Sequence, residues 1–195
     1  MNTQQKQARP RRVTVAAVTQ LLIGLAFLTI PIIGLVYGSD IQAAVDTEVV
    51  RQGQAASVLT NNNIHFDENG AAIAIPVLIA VIMFALAFLN LKGKRFGLIA
   101  SWIIQPLVLL FNFAIMASQA GVAKTLKTIF EKTGDAALQN LNIQKLLDAA
   151  NNAYPDWLAL VVNVRNLVVI AGSLLVIAVL FTTPAKAYFR KSTTG

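Results

Sequence analysis

Apolar positions in this chain do not alternate with polar ones; they gather into four long runs separated by polar segments. Residues Val13 to Tyr37 form 25 positions without a charge, enough at about 1.5 Å per helical residue to cross a hydrocarbon layer of roughly 30 Å. Ala71 to Leu91 repeats the pattern over 21 residues and Leu98 to Ala117 over 20. The last run, Trp157 to Thr183, is interrupted by Asn163, Arg165, Asn166 and Ser173, and Pro184 closes it. Helices saturate their own backbone hydrogen bonds, so four such runs predict an all-α, four-helix transmembrane bundle. A basic start before an apolar run also describes a secretory signal, but this run is too long for one, which favours an uncleaved anchor.

The intervening segments have their own patterns. Residues 1–12 and 184–195 read as short basic tails, and 92–97 as a basic link so short that the second and third spans must form a hairpin. Residues 38–70 form an acidic loop. Ile41, Val45 and Val49 are spaced for a helix there, whereas Asn61-Asn62-Asn63 and Asn69-Gly70 have turn chemistry. Residues 118–156 carry Val122, Leu126, Ile129 and Phe130, then Leu138, Leu141, Leu146 and Leu147, at amphipathic spacing. Thr133-Gly134-Asp135 divides that loop, with glycine suited to end one helix and aspartate to cap the next. The expectation is a helical hairpin, and a helical cap built from both large loops.

Charge orients the chain. The two tails and the 92–97 link hold ten Lys and Arg and no acid, while all nine Asp and Glu fall in the other two loops. Such an excess marks the cytoplasmic face, so both termini are expected inside and the cap outside, in a plasma membrane. The absence of cysteine and of any Asn-x-Ser/Thr site favours a bacterial inner membrane. The net charge of +7 has few neighbouring aromatics to stack bases, so anionic lipid headgroups rather than nucleic acid are its expected counterpart. Tyr37, Tyr154, Trp157 and Tyr188 sit at span boundaries, as amphipathic rings do.

Candidate chemistry is sparse. Gln105, Asn112 and Gln119 recur every seven residues in the third span, and Asn163, Asn166 and Ser173 share a face of the fourth. The first stripe suits hydrogen bonds between helices more than a solute path, and the second suits either such bonds or a wet groove. Arg165 is the one charge inside an apolar run; the favoured reading puts it at the outer interface, snorkelling or paired with Asp156, and the other buries it in the bundle. His65 with Asp67 and Glu68 lacks the ligand number and rigidity of a metal centre. No phosphate-binding loop, catalytic triad or paired intramembrane carboxylate occurs, so neither enzymatic activity nor a cofactor is expected. The leading expectation is an accessory or scaffold subunit that binds other membrane proteins; the alternative is a small-solute transporter or channel using the polar stripe of the third span and Arg165.

Overall fold

The computed structural model describes residues 9–67 and 70–191. Most of the N-terminal basic tail, with Lys6, lies outside the described residues, as do Glu68, Asn69 and the last four positions. The described chain is all-helical, in the order α1 (Arg11–Arg51), α2 (Val58–Asn61), α3 (Ala71–Leu91), α4 (Arg95–Ala120), α5 (Val122–Thr133), α6 (Ala136–Gln139), α7 (Ile143–Ala153), α8 (Leu158–Leu180) and α9 (Thr183–Lys191).

Four of these, α1, α3, α4 and α8, are long and apolar enough to cross a membrane. The best window of α3 has a mean hydropathy of 2.9, yet only 28% of that window is buried. A helix that is apolar all round while mostly uncovered by protein must meet lipid, so the chain is a multi-pass membrane protein. Leu22, Leu25, Leu110, Phe111, Leu167 and Leu174 are among the large side chains left exposed.

The chain divides into two compact units. The first holds residues 1–28, 76–112 and 164–195, and the second 29–75 and 113–163. In the first unit, Ile23, Phe27, Met83, Leu86, Val108 and Val169 pack between α1, α3, α4 and α8. A further cluster joins Val13, Ala16, Leu98, Val176 and Leu180 to Ala185 and Phe189 of α9. Thr183–Lys191, the described part of the expected basic tail, is therefore a packed helix. Proline is compatible with a helix's first turn, and Ala185 and Phe189 at i, i+4 bury one face. Tyr188 Oη donates to the carbonyl of Leu91 at 3.2 Å, satisfying an acceptor at the end of α3, where Gly93 (φ +69°) turns the chain into α4.

The second unit has a separate apolar core. Ile41, Val45 and Val49 of α1 pack with Val58, Leu59, Phe130, Leu138, Leu141 and Leu146. This packing explains why α1 does not end near Tyr37: its apolar face at i, i+4, i+8 continues through Gly38 to Arg51. At 41 residues, α1 is about 60 Å long, twice a hydrocarbon core, so a large part of it must project from the membrane. Tyr37 and Trp157 meet edge to face at 6.3 Å.

Local chemistry around residue 134 follows the sequence. Gly134 takes the left-handed conformation (φ +69°) that ends α5, and Asp135 caps α6 by accepting from the Ala137 amide at 2.9 Å. The expected second arm of the hairpin is split, however, because Asn142 opens a new helix by accepting from the Lys145 amide at 3.2 Å. Asp135 also accepts from Asn62 Nδ2 at 2.9 Å, which ties α6 to the end of α2. The Asn62 bond first, and the Ala137 amide next, hold the Asp135 carboxyl below its ordinary pKa. The fold thus favours the ionised form. Its contribution is complete above the ordinary carboxylate range and is lost as pH falls through the lower, folded value. Protection of the Ala137 amide, taken relative to its intrinsic exchange rate at each pH, is expected to persist to the acid side of that ordinary range and to fall below it. In Asn62→Ala the loss of protection should begin at higher pH.

Candidate functional site

The first unit contains an internal polar seam. Helix α4 presents one buried face made of Gly97, Leu98, Ser101, Gln105, Val108 and Asn112. These positions follow helical spacing, so three polar side chains stand one above another inside an otherwise apolar bundle.

At one level Gln20 of α1, Asn90 of α3 and Ser101 of α4 form a closed triangle. Gln20 Nε2 donates to Ser101 Oγ at 3.0 Å, while Asn90 Nδ2 donates to Gln20 Oε1 and to Ser101 Oγ, both at 2.9 Å. All three are fully buried. Each such bond replaces one that hydrocarbon cannot offer, and the triangle joins three helices. Neither Gln20 nor Asn90 stands out in a search for charges, yet each is the only carboxamide in its apolar run, which is the signal that identifies it.

At the next level Gln105 Nε2 donates to Ser173 Oγ of α8 at 3.1 Å, with both side chains fully buried. Gln105 Oε1 is buried without a hydrogen-bond partner among the described residues, as is Asn90 Oδ1.

The third level holds Arg165. Its side chain lies inside the unit, only 7% exposed, rather than at an outer surface. Arg165 shares the buried face of α8 with Val169, Ser173, Val176 and Leu180, and helical periodicity turns it inward with them. Nη1 donates to Asn112 Oδ1 at 3.2 Å and to Asn166 Oδ1 at 2.9 Å. The guanidinium carbon stands 4.9 Å from the centroid of the Phe27 ring. Nε is buried with no partner among the described residues. The expected pairing with Asp156 or another loop carboxylate is not among its contacts; the described ion pairs are Glu48 with Arg51 and His65 with Asp67.

The structure thus gathers Gln105, Asn112, Arg165, Asn166 and Ser173 in one unit. It does not bring in the other two candidates. Gln119 is exposed and belongs to the second unit, next to the end of α4 and beyond the first unit's part of that helix. Asn163 is also exposed and in the second unit, and it lies off the buried face of α8. His65 Nδ1 is 3.7 Å from Asp67 Oδ1, and no group of three or more His, Asp or Glu that could hold a metal occurs among the described residues.

Trp102 stacks on Phe181 with centroids 4.8 Å apart, and Lys186 Nζ of α9 lies over both rings at 5.5 and 5.1 Å. This assembly holds α9 to the span ends through cation–π contact. Set against known protein families, curated proteins and solved structures, the chain matches none of them.

Proposed function

We propose that the protein is an accessory or scaffold subunit of a larger membrane complex and that it engages its partner through the second unit. The observation that supports this reading is an open depression of about 470 Å³ on that unit, lined by Phe130, Leu141, Ile143, Lys127, Glu131 and Gln139. Such a mixture of apolar and polar side chains suits contact with another protein. The unit that bears it is folded around its own core and offers recognition surface more readily than chemistry. The polar side chains of the first unit, by contrast, bond mainly to one another across helices, which favours adhesion between spans over a path for solutes.

In this reading the second unit lies outside a bacterial plasma membrane and the two termini lie inside. Every acidic residue belongs to the second unit, and the first holds Lys92, Lys94, Arg95, Lys186 and Arg190, suited to anionic headgroups on the cytoplasmic side.

Ile143 is half-buried at the start of α7, at the edge of the core, so Ile143→Glu places a charge in the hollow. In mild detergent the native chain is expected to copurify with a partner at fixed stoichiometry. Ile143→Glu should weaken that association by about tenfold or more while helical content stays unchanged. A native particle that remains solitary and monomeric after crosslinking ends the proposal.

A further inference from the structure

Arg165 is a buried cation with no carboxylate partner among the described residues. None of the chain's nine Asp and Glu falls in the first unit, so that unit cannot neutralise it from within. Arg165 stands seven residues after Leu158, about 10 Å into α8, so it lies two turns inside the helix. The oxygens of Asn112 and Asn166 are neutral dipoles, and the Phe27 ring offers only a quadrupole. Such partners reduce the penalty of removing a guanidinium from water, but they leave its full charge in a low-dielectric surround.

The geometry shows where compensation would come. Both hydrogen bonds leave from Nη1, so the amide oxygens of Asn112 and Asn166 hold one arm of the planar group and fix its orientation. The Nε side, with its adjacent Nη2, is the edge on which a guanidinium makes two parallel hydrogen bonds to a carboxylate or phosphate. Nε on that edge is without a partner among the described residues. Asn166 beside it is half-buried, and Val164 and Leu167 on the same helix are exposed.

We propose that Arg165, positioned by Asn112 and Asn166 over Phe27, is a binding site for an oxyanion: a carboxylate or phosphate group borne by an acidic lipid headgroup or by a small free solute. This site belongs to the first unit and is independent of the docking reading, which rests on the second. A lysine would supply charge but no fork, so arginine is required for the two-point contact. Binding is linked to stability, because the anion joins the folded state and removes the cost of the isolated charge.

The test uses the full chain in nanodiscs of phosphatidylcholine, which carry no net charge. One arm adds inorganic phosphate and the other replaces a third of the lipid with phosphatidylglycerol; thermal unfolding is read in both. Arg165→Gln is expected to unfold several degrees above the native chain in the neutral discs, because the uncompensated charge is gone. In at least one arm the native midpoint should rise by several degrees, whereas Arg165→Gln should stay unmoved and Arg165→Lys should keep less than half of the rise. Lys124→Gln, an exposed cation on α5, should respond like the native chain and so separates this site from a general loss of positive charge. A rise with phosphatidylglycerol alone assigns a headgroup; a rise with phosphate assigns a free oxyanion. A native chain that responds in neither arm overturns the site, as does an equal response from Arg165→Gln. If Arg165→Gln does not fold, Arg165→Lys decides: a response equal to the native one overturns the forked recognition.

Discussion

Truncating Phe130 to alanine is expected to cost about 3–5 kcal/mol and to release α5 while leaving the first unit intact. Phe130 is 2% exposed and is the one fully buried residue of α5, where it packs with Leu138, Leu141, Leu146 and the α1 residues Ile41, Val45 and Val49. Leu126 packs only partly against the same cluster, and the basic side chains Lys124, Lys127 and Lys132 are exposed. A helix of 12 residues has little stability of its own in water, so its order depends on that docked ring. Hydrogen exchange in detergent is the discriminating measurement. Peptides covering 122–133 should exchange far faster in Phe130→Ala, with the 98–112 segment as protected as before. Native-like protection of α5 would show that its order does not come from this contact.

The same contrast between local and distant causes separates what the sequence reveals from what it hides. Four spans are legible because lipid imposes a compositional rule that no tertiary contact can override. The ends of α5 and α6 are legible because Gly134 and Asp135 act through their own backbone and side chain. The length of α1 is not legible in that way. Gly38-Ser39-Asp40 looks like the end of a span, but Ile41, Val45 and Val49 pack on a core drawn from Val58 and Leu59 nearby and from Phe130, Leu138, Leu141 and Leu146 far along the chain. For α9 the proline at 184 is readable as a stop or as a first turn, and only burial of Phe189 decides between them. Arg165 was half legible: its uniqueness is obvious, yet its depth follows from sharing a face with Val169, Ser173 and Val176 rather than from its distance to the nearest polar loop. Gln20 and Asn90 form no repeating stripe, each being a lone amide in its run, yet inside a bilayer an amide is already costly enough to require a partner.

The turn between α3 and α4 gives the most severe test of the polar seam. A methyl group at Gly97 would stand 2.7 Å from Leu89 Cβ, 2.9 Å from Asn90 Oδ1 and 3.1 Å from the Asn90 backbone nitrogen. Leu89 Cβ and a helix nitrogen cannot swing aside, so Gly97→Ala must push α3 and α4 apart close to the triangle of Gln20, Asn90 and Ser101. Overpacking of about 1–3 kcal/mol and a buried amide deprived of partners at about 1–3 kcal/mol would act together. The expected loss is therefore about 3–5 kcal/mol, read as unfolding in detergent. Gly24→Ala is the informative comparison, because its methyl would be nominally closer, 2.5 Å from Phe84 Cε1. That contact is with the far end of a half-buried ring, which can rotate outward, so the loss there should be clearly smaller. The two losses should also combine differently with Asn90→Ala: additively for Gly24→Ala, but less than additively for Gly97→Ala, whose clash and whose broken hydrogen bonds involve the same asparagine. Equal losses, or full additivity at Gly97, would mean that the helices are not brought together by the missing side chain at position 97.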